Sequence, residues 1–242
     1  VQITLILPTY NEAENLPKLV SALFSLPFDD LHLIVVDDNS PDGTGQLADN
    51  LSNARPGKID VLHRPGKLGL GTAYVLGYKN ALEKGAQVIG QMDSDFSHPV
   101  EKLPEMVKAL DISDVAIGSR YVPGGSVDER WPLWRKELSR FGNTYARTIL
   151  RLPMHDVTGG FKLYKREALL RMPVDRIRSN GYIFQVETAY MGYLLGLHYA
   201  EVPIYFADRR WGKSKMSLRI QAEAAFRVWQ LLWFYRDMRA AH

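Results

Sequence analysis

The chain has 242 residues, 46% hydrophobic and 24% charged, with a formal net charge of +3. That length suits one large α/β domain or two small ones, and so small a net charge points to no nucleic-acid partner. The absence of cysteine excludes disulfides, thiolate metal sites and cysteine nucleophiles, and fits a reducing compartment.

In chain order, Ile3–Leu7 is a short apolar run stopped by Pro8, too short and lacking the basic flank expected of a signal peptide. Glu12–Leu26 carries Leu16, Leu19, Val20 and Leu23 at helical spacing. Leu31–Val36 reads as a strand apolar on both faces, and Gly43–Leu51 as a helix entered through Ser40-Pro41-Asp42. Strand Ile59–Leu62 leads to helix Gly69–Glu83, opened by a glycine-rich turn. Strand Val88–Met92, helix Val100–Leu110 and strand Val115–Gly118 follow. Unalternating apolar strands interleaved with helices predict a mostly parallel sheet covered on both faces, with ligands gathering at the carboxyl ends of the strands. Val122–Pro132 reads as a loop, Trp134–Leu150 as a helix, Thr158–Tyr164 as a short strand and Gly181–Leu195 as a helix. Strand Tyr199–Phe206, the basic loop Ala207–Ser217 and one long helix Leu218–Arg239 complete the chain. No stretch reaches the roughly 18 apolar residues of a membrane span.

The most informative segment is Asp93-Ser94-Asp95, at the end of the Val88–Met92 strand. The two carboxylates repel each other, and a turn just after the strand is needed to aim both at one point. A hard divalent cation there would relieve their repulsion and take phosphate oxygens as further ligands. The alternative is a solvated turn capping the helix near Val100. Tyr10, in Pro8-Thr9-Tyr10-Asn11-Glu12, could stack on a base, and Glu12 could accept hydrogen bonds from base or ribose; a helix entry capped by Asn11 is the alternative. Asp38 follows the second strand where acidic residues commonly bind ribose, with Asp37 structural; an Asx-turn from Asn39 through Gly43 could aim Asp38. Gly66-Lys67-Leu68-Gly69-Leu70-Gly71-Thr72 lacks the spacing of either common nucleotide-binding glycine loop, so its glycines are expected to let the helix approach the sheet. Arg135 and Ser139 share a helix face. Arg120 and the Arg209–Lys215 loop add cations suited to phosphate.

These segments, in this order, resemble glycosyltransferase family 2, within it the dolichyl- or polyprenyl-phosphate mannose synthases. The motifs that carry the resemblance span Ile3 to about Met216: Leu-Pro-Thr-Tyr-Asn-Glu, Val-Asp-Asp-Asn-Ser-Pro-Asp-Gly-Thr, Met-Asp-Ser-Asp-Phe-Ser-His-Pro, Gly-Ser-Arg-Tyr, Asp-Val-Thr-Gly-Gly-Phe-Lys-Leu-Tyr-Lys, Gly-Tyr-Ile-Phe-Gln-Val-Glu and Arg-Arg-Trp-Gly-Lys-Ser-Lys. The resemblance implies a glycosyltransferase A fold: a Rossmann-like nucleotide half (1–118) joined without a linker to an acceptor half (119–217), then an amphipathic C-terminal helix (218–242). It implies inverting transfer of mannose from GDP-mannose to a polyprenyl (dolichyl) monophosphate. By resemblance Pro8, Tyr10, Glu12, Val36 and Asp38 would hold the guanosine, with Ser94 beside the nucleotide. Asp93 and Asp95 would bind Mg²⁺ or Mn²⁺. Ser97 stands where some members have a metal-binding glutamine. Arg120, Arg135, Ser139, Arg209 and Lys215 would contact the donor diphosphate or the acceptor phosphate.

The alternatives are a UDP-glucose or UDP-N-acetylglucosamine donor, a non-lipid acceptor, and a non-catalytic nucleotide-sugar-binding partner subunit. A lipid acceptor calls for contact with a bilayer. In the last helix Phe226, Trp229, Trp233, Tyr235 and their neighbours suit either the membrane interface or the protein core. The expectation is peripheral attachment to the cytoplasmic leaflet, with a separate membrane subunit or domain as a possible partner.

Overall fold

The computed structural model describes residues 2–208 and 218–239. Chain order is β1 (Ile3–Thr9), α1 (Leu16–Phe24), β2 (Leu31–Asp37), α2 (Thr44–Ala54), β3 (Ile59–His63), α3 (Leu70–Glu83), β4 (Val88–Gln91), α4 (Leu103–Ala109), β5 (Val115–Ser119) and β6 (Ser126–Val127). Then come α5 (Leu133–Leu150), β7 (Lys162–Lys165), α6 (Arg166–Arg171), α7 (Tyr182–Leu194), β8 (Tyr199–Pro203), β9 (Tyr205–Phe206), α8 (Leu218–Phe234) and α9 (Arg236–Arg239).

Seven strands form one sheet in the order β3-β2-β1-β4-β7-β5-β8. All neighbours pair parallel except β7, which runs antiparallel to both β4 and β5. The carboxyl ends of β1, β2, β4 and β5 therefore lie along one edge. Alternation along β1 sends Ile6 into one hydrophobic core and Leu5 and Leu7 into the other. The first core takes α3, α5, α6, α7 and α8; the second takes Leu16 and Leu19 of α1 and Leu103 and Met106 of α4. Fully burying each such aliphatic side chain contributes roughly 1.5–3 kcal/mol. The expected α/β layering, with helices on both faces of a mostly parallel sheet, is what the structure has.

The boundaries differ from expectation for local reasons. Helix α1 begins at Leu16, not Glu12, because Pro17 suits a first turn and residues 12–15 are already folded back, with the Leu16 amide on the Glu12 carbonyl at 2.9 Å. The expected strand over Tyr199–Phe206 divides after Pro203. Strand β8 pairs with β5, while β9 pairs with β6, inside the expected loop Val122–Pro132. Helix α6 was not expected. The glycine-rich turn also acts elsewhere than expected. A Cβ on Gly71 would lie 2.4 Å from the Ser179 carbonyl, and one on Gly69 2.8 Å from Asn180 Oδ1, so these glycines admit the Ser179–Asn180 turn rather than the sheet. Gly77 is the glycine that seats α3 on the sheet, where a Cβ would meet Ile6 at 2.5 Å.

Candidate active site

Backbone strain marks the strand ends. Among described residues, non-glycine positive φ occurs at Asn11, Asn39, Phe96 and Arg151. The first three follow β1, β2 and β4, and such residues persist where surrounding structure holds them. Phe96, at φ 62°, turns the chain directly after the carboxylate pair. Asp95 Oδ1 accepts the Ser97 amide at 3.0 Å, and Asp93 Oδ1 accepts the Tyr74 hydroxyl at 3.3 Å. Burial, then the charges of Asp93 and Asp95, push the Tyr74 hydroxyl well above its ordinary pKa. The same two carboxylates act on His98, whose pKa burial lowers and they partly restore. The Asp93 amide donates to His98 Nδ1 at 3.1 Å, which places the ring hydrogen of the neutral imidazole on Nε2. His98 is fixed between Phe161 and Phe206, with ring centroids at 5.4 and 5.3 Å.

Two observations bear on a cation here. Ser97 Oγ is buried with no hydrogen-bond partner, an uncommon state for a hydroxyl. Gly160 leaves open the space beside Asp93, since a Cβ there would lie 3.6 Å from Asp93 Oδ2 and 3.2 Å from His98 Cε1. No cluster of three or more His, Cys, Asp or Glu that could hold a metal occurs among the described residues. Two carboxylates and an orphan hydroxyl are hard oxygen donors of the kind that fit a divalent cation.

The nucleotide-side residues gather next to this turn. Ser94 Oγ donates to the Pro8 carbonyl at 2.9 Å, and the Asp38 amide to the Thr9 carbonyl at 3.1 Å. Lys67 Nζ sits 4.1 Å from the centre of the Tyr10 ring. Glu12 Oε2 accepts from Asn15 at 2.7 Å, and the Glu12 amide donates to Thr44 Oγ1. Val36 is fully buried. Asp37 binds Thr9, the Ser40 amide and the Ser40 hydroxyl, so it builds the turn, as expected. Asp38 accepts Arg64 Nε at 2.5 Å, and Arg64 continues to Thr72 Oγ1 and the Gly69 carbonyl. Arg64 was not singled out from sequence, and nothing in its neighbourhood along the chain marked it.

The basic residues come with carboxylates that the sequence reading left without roles. Arg120 is buried and held by Asp156 through its amide (3.0 Å), Nε (2.8 Å) and Nη2 (2.8 Å), and by Thr158 at 2.6 Å. Burial lowers its pKa, but Asp156 outweighs burial and holds it above its ordinary value. Arg135 pairs with Asp208 at 3.0 Å and stacks over Trp131 at 3.7 Å. Asp128 in turn accepts the Asp208 amide at 2.9 Å; hydrogen bonds from Arg130 and this amide hold its pKa well below the usual carboxylate range. Ser139 Oγ hydrogen-bonds Tyr121 Oη at 2.8 Å. Arg209 and Lys215 lie outside the described residues. The Ala207 amide donates to the Ser97 carbonyl at 3.1 Å, tying the segment that leads to them against the acidic turn.

A family model described as glycosyl transferase family 2 matches residues 4–172. The chain belongs to that family. A polyprenol monophosphomannose synthase of Mycolicibacterium smegmatis is 45% identical, over 92% of this chain and 84% of its own length. An undecaprenyl-phosphate mannosyltransferase of Micrococcus luteus is 42% identical, over 99% of this chain and 98% of its own. A glucosyl-3-phosphoglycerate synthase from Mycobacterium tuberculosis, solved with Mn²⁺, UDP and glucosyl-3-phosphoglycerate, superposes with a TM-score of 0.65 over 96% of this chain and 78% of its own; at 16% identity the likeness shows the fold. The family 2 chain is thus an enzyme of the glycosyltransferase type, and its closely similar relatives fall in the polyprenyl-phosphate mannose synthase group.

Proposed function

We propose that this glycosyltransferase moves mannose from GDP-mannose to a polyprenyl monophosphate, with inversion at the anomeric carbon. A lipid-phosphate oxygen forms the new bond to that carbon as its bond to the GDP oxygen breaks, and GDP leaves. The observation that carries this reading is the carboxylate pair at one sheet edge with cationic residues anchored nearby. The two mannosyl-transferring relatives, similar over nearly the whole chain, support the sugar and the lipid.

In this reading Pro8, Tyr10, Glu12, Val36 and Asp38 hold the guanosine, and Ser94 lies beside the nucleotide. Asp93 and Asp95 would hold Mg²⁺ or Mn²⁺, as the Mn²⁺-bearing structural neighbour suggests. That ion would supply positive charge for the leaving diphosphate. Asp156 and Asp208 keep Arg120 and Arg135 oriented before any ligand arrives, so these cations need no reorganisation as charge develops. Arg135 and Ser139 aim the acceptor phosphate, and Arg209 and Lys215, outside the described residues, would contact the donor diphosphate or the acceptor phosphate. The nucleophile needs no strong base: a phosphate monoester has a second pKa near ~6 and is largely ionised at neutral pH. His98 is then a positioning residue, whose Nδ1 fixes the Asp93 backbone.

The outer face of α8 suits contact with the cytoplasmic leaflet. Val228, Leu231 and Tyr235 are buried in the core, while Phe226, Trp229 and Trp233 are exposed and form the face that this reading turns to the membrane. No helix among the described residues is long and apolar enough to cross a membrane. The deciding experiment measures nucleotide release with Mg²⁺ or Mn²⁺ and a short polyprenyl phosphate, comparing GDP-mannose, UDP-glucose and UDP-N-acetylglucosamine. Metal- and acceptor-dependent turnover with GDP-mannose alone is expected. Preference for a UDP-sugar would overturn the donor, and transfer without the lipid phosphate the acceptor.

A further inference from the structure

We propose that Gln185 reads a hydroxyl of the transferred sugar, in a hollow over Gly160 between the acidic turn and the Arg120–Asp156 pair. This rests on the sugar-transfer reading above and adds a specificity-determining residue to it.

Gln185 stands in the first turn of α7 and is only 3% exposed. Its neighbours dictate which way its amide faces. The Gly160 carbonyl can only accept, so the Gln91 atom that meets it at 3.0 Å is Nε2. The same Nε2 donates to Gln185 at 2.7 Å, so the Gln185 atom receiving it is Oε1. The Tyr78 hydroxyl donates to Gln91 Oε1, which fits that assignment. The main chain of Gln185 is held too: the buried Lys162 Nζ donates to its carbonyl at 2.8 Å. With Oε1 and the carbonyl engaged, the polar group of Gln185 that faces Gly160 is Nε2. A Cβ on Gly160 would lie 3.5 Å from it, 3.6 Å from Asp93 Oδ2 and 3.2 Å from His98 Cε1.

Gly160 is not required by its backbone, whose φ lies outside the left-handed region. The missing side chain instead keeps this hollow open, and both Gly160 and Asp93 retain some exposed surface. An N–H donor on one border and a carboxylate oxygen on the other define the ligand. A phosphate oxygen only accepts and would be repelled by Asp93; an ammonium only donates and would meet Nε2 donor to donor. A hydroxyl does both. The place of the hollow says whose hydroxyl it is. Asp93 belongs to the turn assigned to the metal and diphosphate. On the other side, a Cβ on the adjacent Gly159 would lie 3.4 Å from Asp156 Cγ, and Asp156 holds the phosphate-binding Arg120. The group that lies between a leaving diphosphate and an acceptor phosphate is the sugar.

The test compares GDP-mannose with four deoxy analogues, each lacking one sugar hydroxyl, in wild type, Gln185→Met and Gly160→Ala. Calorimetry of GDP with Mn²⁺ runs alongside. Wild type is expected to lose about 10- to 100-fold in kcat/KM on one analogue. Gln185→Met should lose a similar factor on GDP-mannose and treat that analogue and GDP-mannose alike, while discriminating against the other three as wild type does. Gly160→Ala, which fills the hollow, should lose kcat/KM on GDP-mannose severalfold. Both variants should bind GDP and Mn²⁺ as wild type does. Activity lost evenly across all analogues in Gln185→Met would make Gln185 a packing residue and overturn the inference. So would a loss of GDP and Mn²⁺ affinity that accounts for the whole effect. If Gln185→Met does not fold, Gly160→Ala decides: full activity with the hollow filled would overturn the inference. Wild type that prefers a UDP-sugar would overturn the donor proposed above but not this inference, which the deoxy series of that UDP-sugar then decides. Wild type that transfers no sugar would overturn both.

Discussion

Ser97 Oγ is the residue-scale feature that most sharply separates an empty site from a loaded one. A buried hydroxyl without a partner costs about 1–3 kcal/mol, so Ser97→Ala should leave metal-free stability unchanged or raise it by about 1 kcal/mol in urea unfolding. If the hydroxyl serves the loaded site, the same variant should need several-fold more Mn²⁺ for half-maximal activity. An unchanged metal titration would remove Ser97 from the site. Asp93→Asn should lower kcat by at least ~100-fold, the scale of a lost electrostatic contact to the reacting groups, with no comparable loss of fold. Arg135→Ala should raise the KM for polyprenyl phosphate far more than it weakens GDP-mannose binding; equal losses in kinetics and calorimetry would refute the acceptor assignment. At this scale the sequence was readable where motif and strand end coincide, as at Asp93 and Asp95. It was silent on Arg64, Asp156 and Asp208. Each pairing spans dozens of residues, as Arg135 with Asp208 does, and only tertiary packing brings such partners together.

At the scale of elements, α3 shows how a glycine pattern can be recognised and its purpose misplaced. Helical spacing and the opening turn located the helix, but periodicity carries no information about which segment crosses its first turn. Ser179 and Asn180 do so, held by the fully buried Glu187, which accepts the Ser179 amide at 2.8 Å and the Tyr235 hydroxyl at 2.8 Å. Gly71→Ala would force a Cβ toward the Ser179 carbonyl and should destabilise the fold by about 1–3 kcal/mol, read as a lower urea midpoint. An Ala at Gly57, where nothing lies within 4 Å but φ is +73°, tests backbone strain without a clash. It should cost less than Gly71→Ala; the reverse order would show that the Ser179 turn yields easily. Helix α8 was legible as a helix, but its two faces were not separable from composition. Large aromatics occupy both, and burial was decided by α5 and α7 packing against one of them.

At the scale of the molecule, the strand joining the two proposed halves is β7. It stands between β4 and β5 and reverses the local direction of an otherwise parallel sheet. Its sequence, Lys-Leu-Tyr-Lys, gave no direction, since four residues are too few to carry the pattern that separates parallel from antiparallel strands. At this junction lies Lys162, with no exposed surface, its Nζ donating to the Gln185 carbonyl at 2.8 Å and to Thr188 Oγ1 at 3.2 Å. Burial lowers its pKa to about 7, against an ordinary value of 10.5, with Asp156 opposing the shift. The unfolded chain therefore binds more protons at this residue between about pH 7 and 10.5, and stability rises with pH across that window. Below pH 7 both states are protonated and the group adds no further slope. The lowered histidines, His32 and His98, titrate below the window, and the buried tyrosines, raised above their ordinary 10, exchange protons only from its upper end onward, above the pH 7 to 9 range of the test. We expect the urea midpoint to climb between pH 7 and 9 by an amount on the order of a few kcal/mol in free energy, and Lys162→Met to abolish most of that climb. Because the sheet runs unbroken through β7, the shift should appear in one cooperative transition seen alike by tryptophan fluorescence and far-UV circular dichroism. Two transitions, with only one responding to pH, would mean that the halves unfold separately; equal slopes in wild type and Lys162→Met would mean that the buried amine stays charged.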